Sequence, residues 1–189
     1  EAEGRWEQMV QVLRAEVRIA RGDTKKANLY ARMADVLFEH LERTKEALNL
    51  YNRVLQFDED NTEVIERMES LYERMEMWDQ LVVHLQKQLR RSRKPEDKVL
   101  YNKKLARAYK DNLNMEDKAV GIYHKVLELA PDDTDAVTQL EEIYIKNKAW
   151  QKLADLLKLL LTRVDESAQQ DINLRLTALY YRYMDEGDR

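Results

Sequence analysis

The 189-residue chain contains no cysteine. Disulfides, thiolate metal sites and cysteine nucleophiles are thereby excluded. Glycine occurs four times and proline twice, so the many tight turns of a sandwich or barrel are not provided for. No apolar run approaches the ~18 residues that a bilayer span requires. Basic charge is not in excess: 32 Lys and Arg stand against 36 Asp and Glu, for a net charge of −4 and a pI near 5.6. That balance argues against a dedicated nucleic-acid binder. The residues after Glu1 show no signal-peptide pattern. A cysteine-free composition fits a periplasm and, slightly better, a reducing cytoplasm.

With 44% hydrophobic and 36% charged residues, the chain is neither disordered nor membranous. Its organisation is an internal repeat. The three tryptophans, Trp6, Trp78 and Trp150, stand at equal intervals and set a 72-residue period. Their neighbours keep the same period: Met9, Leu81 and Leu153, then Leu13, Leu85 and Leu157. Between the first two copies, Ala34 answers Ala106, Ala47 answers Ala119, Tyr51 answers Tyr123 and Val54 answers Val126. A third copy follows one residue short, with Leu176 and Tyr180 answering Leu105 and Tyr109. Agreement at so many positions marks duplication.

Each copy reads as four helices. Apolar residues 0, 3, 7 and 11 positions from each tryptophan form a stripe at helical period. The clusters at 58–62 and 131–134 are rich in Asp, Asn and Thr, which end one helix and cap the next. Pro95, followed by Glu96 and Asp97, suits a helix start because the first turn needs no N–H from proline. The pattern predicts helices over 4–20, 24–42, 45–57, 62–75, 78–92, 96–112, 116–129, 134–147, 150–164 and 168–185. Short links between them favour antiparallel neighbours.

Half of the 72-residue period is close to the ~34 residues of a tetratricopeptide repeat. Residues 99–133 carry the resemblance: a small residue where two helices press together, Ala106, and an aromatic three later, Tyr109. The second helix adds Ala119, Tyr123 and Val126, and Pro131 closes the unit, provided that the intervening turn holds one extra residue. Residues 27–61 match through Ala34, Leu37, Ala47, Tyr51 and Val54. The alternate units are looser, with Glu69 and Glu141 at the small position, and Trp78 and Trp150 open their second helices. The chain thus resembles a tetratricopeptide-repeat protein over nearly its whole length. The resemblance implies an all-α fold without a sheet, a right-handed α-solenoid of antiparallel helix pairs. Its units would be 1–24 (partial), 25–61, 62–97, 98–133, 134–167 and 168–189 (partial), forming one domain within a longer array.

Stripes of Trp, Tyr and Met at helical spacing read as packing core. Core of this kind is shared only between neighbouring units, so the end helices matter. Met9, Val10, Leu13 and Val17 at one end, and Leu176, Leu179 and Tyr183 at the other, are expected to present uncapped apolar faces suited to self-association.

Chemistry-bearing patterns are sparse. His40, His84 and His124 are widely separated in the chain, without the i, i+4 spacing of a metal site, and His124 reads as a helix-surface residue. There is no phosphate loop, nucleophile elbow or EF-hand loop. The tripeptide Arg21-Gly22-Asp23 is short enough to recur by chance. No cofactor, metal or catalytic residue is called for.

Binding remains. In tetratricopeptide arrays the first helix of each unit lines a concave groove for an extended peptide or partner helix. The resemblance places Lys103, Arg107 and Lys110 there, at i, i+4, i+7, as a basic stripe for a carboxylate or phosphate. Flanking positions are Glu66, Ser70 and Glu73 in one unit, and Thr138, Glu142 and Ile145 in another. Pairing of the stripe with acidic neighbours is the competing reading. The carboxylate clamp of some cochaperones is missing: Ala31 and Asp35, then Glu66 and Ser70, hold its positions, and Arg107 replaces an asparagine. A second basic cluster, Lys87, Arg90, Arg91, Arg93 and Lys94, falls at a helix C-terminus, where it complements the dipole. The expected function is a non-catalytic protein-interaction scaffold. The alternative is an RNA-associated repeat of the half-a-TPR type, which the alanines at Ala34 and Ala106 disfavour.

Overall fold

Propensity and patterning agree along this chain: few glycines and prolines interrupt it, and apolar residues recur at helical period. The computed structural model describes residues 2–163 and 166–184, and among them every regular element is a helix. The chain divides into two compact units, Glu1–Met77 and Trp78–Arg189. The division falls inside the stretch 62–97 that the repeat pattern reads as one pair.

The first unit comprises α1 (Ala2–Ile19), α2 (Asp23–Glu39), α3 (Thr44–Phe57) and α4 (Thr62–Arg74), each packed on the next. Gly22, at φ 91°, enters α2 in a conformation that disfavours other residues, which gives the Arg-Gly-Asp tripeptide a structural role. The second unit comprises α5 (Trp78–Arg91), α6 (Pro95–Arg107), α7 (Glu116–Leu129), α8 (Thr134–Lys146), α9 (Trp150–Leu161) and α10 (Glu166–Leu179). Two helices run on into π-helical turns, α6 through Ala108–Asn112 and α10 through Tyr180–Met184. Residues 164, 165 and 185–189, the last of these closing the expected final unit, lie outside the described residues.

The capping clusters resolve to one residue each. Asn61 accepts the Val64 N–H at 3.0 Å to open α4, and Asp133 accepts the Ala136 N–H at 2.8 Å to open α8. The two caps stand one full period apart, so the repeat extends to its helix starts. Proline at the first turn of α6 is Pro95, as its neighbours predict.

The extra turn residue is accounted for by two kinds of turn. After α2 and α6 the backbone closes six residues back, Arg43 N–H to Leu37 C=O and Met115 N–H to Tyr109 C=O, both 2.8 Å. After α4 and α8 it closes five back, Met77 to Tyr72 and Ala149 to Tyr144, again at 2.8 Å. The wider loop and the π turn of 108–112 hold the additional residue. Every one of these turns needs a left-handed residue, and none uses glycine: Glu42, Glu76, Asn114 and Lys148 sit at φ 52–53°.

The core follows the alanine and tyrosine positions. Ala34, Ala47, Ala106 and Ala119 are fully buried, and Tyr51 and Tyr123 are the largest side chains sealed from solvent. The small residues let the helices of a pair approach while the tyrosines fill the space beside them. The tryptophans differ from the core expected of them. Trp6, Trp78 and Trp150 are half-buried. Trp6 stacks on His40 at 3.6 Å between ring centroids, and Trp150 stacks on Tyr183 at 4.1 Å. Both of these rings close the start of a second helix against the end of the next first helix.

The apolar end faces are corrected too. Val10 and Leu13 are buried, as are Leu176 and Leu179, because each packs inward on its own unit. Met9 and Val17 are half-buried and Tyr183 is exposed as expected, and the other exposed apolar residues here include Val12 and Ile19 on α1 and Leu174 and Tyr181 toward the other end.

Candidate binding surface

Within each unit, the first helices of two successive pairs meet along a polar ladder. In the second unit, α6 and its π turn project Lys103, Arg107 and Lys110 at helical spacing toward α8. Lys103 Nζ lies 2.9 Å from Asp133 Oδ2 and 3.0 Å from Asp135 Oδ2. Arg107 donates to both Asp135 oxygens at 2.9 and 3.0 Å, and Lys110 donates to Gln139 at 2.6 Å and Glu142 at 2.8 Å. The stripe predicted from the sequence is therefore brought together, with each cation answered by an acid on the next first helix. Arg107 is the accessible member, its side chain 55% exposed against 24% for Lys103 and 19% for Lys110. Beyond it, Thr138 and Ile145 of α8 are exposed.

Asp133 serves twice, capping α8 and receiving Lys103, so the cation binds where the helix N-terminus has already gathered negative charge. Burial pushes the Asp135 carboxyl up, but hydrogen bonds from Lys103 and Arg107 outweigh it and hold the group below its ordinary value. Burial likewise lowers Lys103, and its bonds to Asp133 and Asp135 more than reverse this. Behind the ladder, burial pushes the Tyr123 hydroxyl up to about 12, against the opposing charge of Arg107. That hydroxyl faces the Arg107 guanidinium without a close hydrogen bond. On the far side of α8, Arg175 of α10 reaches Glu141 at 2.5 Å.

The first unit builds its own ladder with the signs reversed. Asp35 on α2 accepts the Tyr51 hydroxyl at 2.5 Å and pairs with Arg67 of α4, which also holds Glu63 at 2.9 Å. Burial and the Asp35 charge keep the Tyr51 hydroxyl well above the usual phenol range. A cavity of about 140 Å³ opens beside them, and Arg74 of α4 lies 5.1 Å from the Phe38 ring. Sequence reasoning gave this network no role. Its signal is an opposite charge 28–32 residues downstream of a charge on a first helix, which holds for Asp35 with Arg67, Arg107 with Asp135, and Lys110 with Glu142.

The histidines divide. His84 is buried on α5, with its pKa lowered to about 4 by burial and the nearby charges of Lys87 and Lys104. His124 is more than a surface residue: its Nε2 lies 2.8 Å from the Tyr144 hydroxyl, tying α7 to α8. Among the described residues no cluster of His, Asp and Glu is placed to hold a metal ion, and no helix is long and apolar enough to cross a membrane.

Residues 103–137 match the tetratricopeptide repeat family, a span that contains the whole of the α6–α8 ladder's basic stripe. Among solved structures, the chain is similar to one from the functional characterization of Pseudomonas aeruginosa pilF. That likeness has a TM-score of 0.51 at 17% identity, over 96% of this chain and 79% of the other. It is also similar to MamA of AMB-1, with a TM-score of 0.52 at 18% identity and 87% of both chains covered. No curated protein matches it in sequence. Both structural relatives contain tetratricopeptide repeats. Helix pairs and a 72-residue double period thus give the chain a tetratricopeptide-like helical-repeat fold, and residues 103–137 match the repeat family itself.

Proposed function

We propose that the chain is a non-catalytic interaction scaffold built of helix pairs. A peptide or partner helix lies along the first helices, with Lys103, Arg107 and Lys110 facing it. Membership of a repeat class built for protein contacts supports the general reading. The observation that carries the finer one is the α6–α8 ladder. It is polar, regularly spaced and only partly screened, and Arg107 stands half-exposed at its middle. A carboxylate on a partner can share Arg107 with Asp135 without dismantling the ladder, because a guanidinium has donors to spare. Exposed Ile145 and Thr138 then offer apolar and polar contacts alongside.

Two variants test this by affinity capture and mass spectrometry. Arg107→Glu places an acid where the partner's acid would bind, and partner recovery should fall sharply while circular dichroism is unchanged. The exchange Lys110→Glu with Glu142→Lys preserves an internal ion pair but inverts its polarity, so it separates ligand contact from fold support. Equal recovery by wild type and both variants would refute the assignment. Recovery that disappears with nuclease, and weakens steeply with salt through counterion release, would favour the RNA alternative.

A further inference from the structure

The 72-residue repeat makes the first two copies a comparison within one chain, and at one place they differ in filled volume. In the second copy Tyr109 is buried at the end of α6. Its hydroxyl accepts a hydrogen bond from Gln86 at 3.2 Å, and the Lys118 ammonium lies 5.1 Å from its ring centroid. The equivalents in the first copy are Leu37 for Tyr109, Arg14 for Gln86 and Glu46 for Lys118. These three line an open cavity of about 430 Å³ between α1, α2 and α3. A leucine is too short to occupy what the tyrosine fills, and an arginine and a glutamate replace the residues that close over it.

The cavity's chemistry is two-part. Met33 and Leu37 form an apolar floor, while Arg14, Arg18 and Arg53 stand around it. Glu46 is the one carboxylate among the described lining residues, and it is already engaged by Arg43 at 2.6 Å and by Arg14 at 3.5 Å. Arg53 is steadied over the Tyr30 ring, 5.5 Å from its centroid. Arg18 makes no ion pair with a described residue and is exposed. An apolar floor rejects a bare phosphate, and a net positive rim rejects a cation or a purely apolar group. The volume lies within the ~300–1,000 Å³ of ordinary ligand pockets.

We infer that this cavity is a second docking site, which takes a peptide segment carrying an apolar side chain next to a carboxylate. The apolar group enters over Met33 and Leu37, and the carboxylate is held by Arg18 and Arg53. The site is built by the second helices α1 and α3 with α2 beneath. It is therefore distinct from the first-helix surface of α6 and α8, and it does not depend on the role given to Arg107.

The test uses a displayed library of random dodecapeptides selected on the whole chain. Selection is counter-screened on the double variant Leu37→Tyr with Arg14→Gln, which gives the first copy the plug of the second. The expected result is enrichment of sequences with an aliphatic or aromatic residue beside Asp or Glu. The best of these, as a synthetic peptide, should bind wild type and lose about ten-fold in affinity with Arg18→Glu, roughly one charge-assisted hydrogen bond. Arg18 is exposed, so that variant keeps the fold. Failure of any sequence to enrich, or enrichment without an acid, would overturn the proposal. So would equal binding to the plugged variant or to Arg18→Glu. Decanoate is the small-molecule arm: if it shifts the Arg18 and Arg53 Nε–Hε resonances while selected peptides do not, the peptide assignment is wrong.

Discussion

The two ladders lead from one repeat position with opposite signs and are answered from different positions on the next first helix. In the first unit an acid, Asp35, stands on the leading helix and a base, Arg67, on the next; in the second, Arg107 leads and Asp135 answers. Behind each is a buried tyrosine at the same repeat position, Tyr51 or Tyr123. The acid on the leading helix gives Tyr51 a short bond to an acceptor, whereas the base offers the Tyr123 hydroxyl only the Arg107 guanidinium, without a close hydrogen bond. Duplication has thus kept the packing and the existence of a pair, while leaving its polarity free. The core is shape-constrained. The ladder is constrained only to neutralise itself, and so it is the layer in which binding preference can diverge.

The comparison can be broken most forcefully by acid. His84 is buried in the second unit, whereas its equivalent in the first copy is the exposed Val12. Because the folded pKa of about 4 lies below the ordinary value, the unfolded chain binds the proton first. The stability at stake is intact above about pH 6.5 and is lost as pH falls through 4, amounting to about 3 kcal/mol. Hydrogen exchange against pH should show α5 and α6 opening before α2 and α3. His84→Leu should flatten that dependence, as the buried Leu156 at the same register already accommodates leucine. An unchanged profile would show that His84 is not the group responsible.

A sharper and smaller contrast lies in the tyrosines. Tyr51→Phe removes a hydroxyl bonded to a carboxylate and should cost about 1.5 kcal/mol in urea unfolding. Tyr123→Phe removes a hydroxyl that lacks such a bond and should be neutral or slightly stabilising. Equal costs would mean that the two ladders are energetically alike despite their signs.

The smallest effects belong to the turns. Glycine at Glu76 or Lys148 should stabilise by about 1 kcal/mol, since each holds a side chain in the left-handed region. Asn114→Gly should gain less, because asparagine tolerates that conformation. Thermal denaturation of the three variants would rank them.

Much of this was legible in the sequence, for identifiable reasons. A period shared by Trp6, Trp78 and Trp150 and by the alanines between them reports packing, which acts on residue size at fixed positions. Asn61 and Asp133 were narrowed to short clusters because capping is local. The left-handed turns were hidden because Glu42, Glu76 and Lys148 bear no resemblance to the usual glycine, and the pull of the helices on both sides imposes the conformation. Pairing of the basic stripe with acidic neighbours was legible, Glu142 among them, but Asp133 and Asp135 as the other partners were not. Helical spacing shows which residues share a face but not what stands opposite, and the partners lie 28–32 residues away.

The alternation of turns bears on how such a gene can grow. Its left-handed residues, Glu42, Glu76, Asn114 and Lys148, recur in steps that alternate between short and long. Only every second one falls in the same kind of turn. Inserting or deleting a single pair would set two like turns in succession and displace every ladder contact beyond them. A crossover between the codons for Glu42 and Asn114 exchanges a whole doublet and leaves both turn types in order. The heritable module of this protein is therefore the 72-residue doublet, and lineages that lengthen or shorten it should do so in that step.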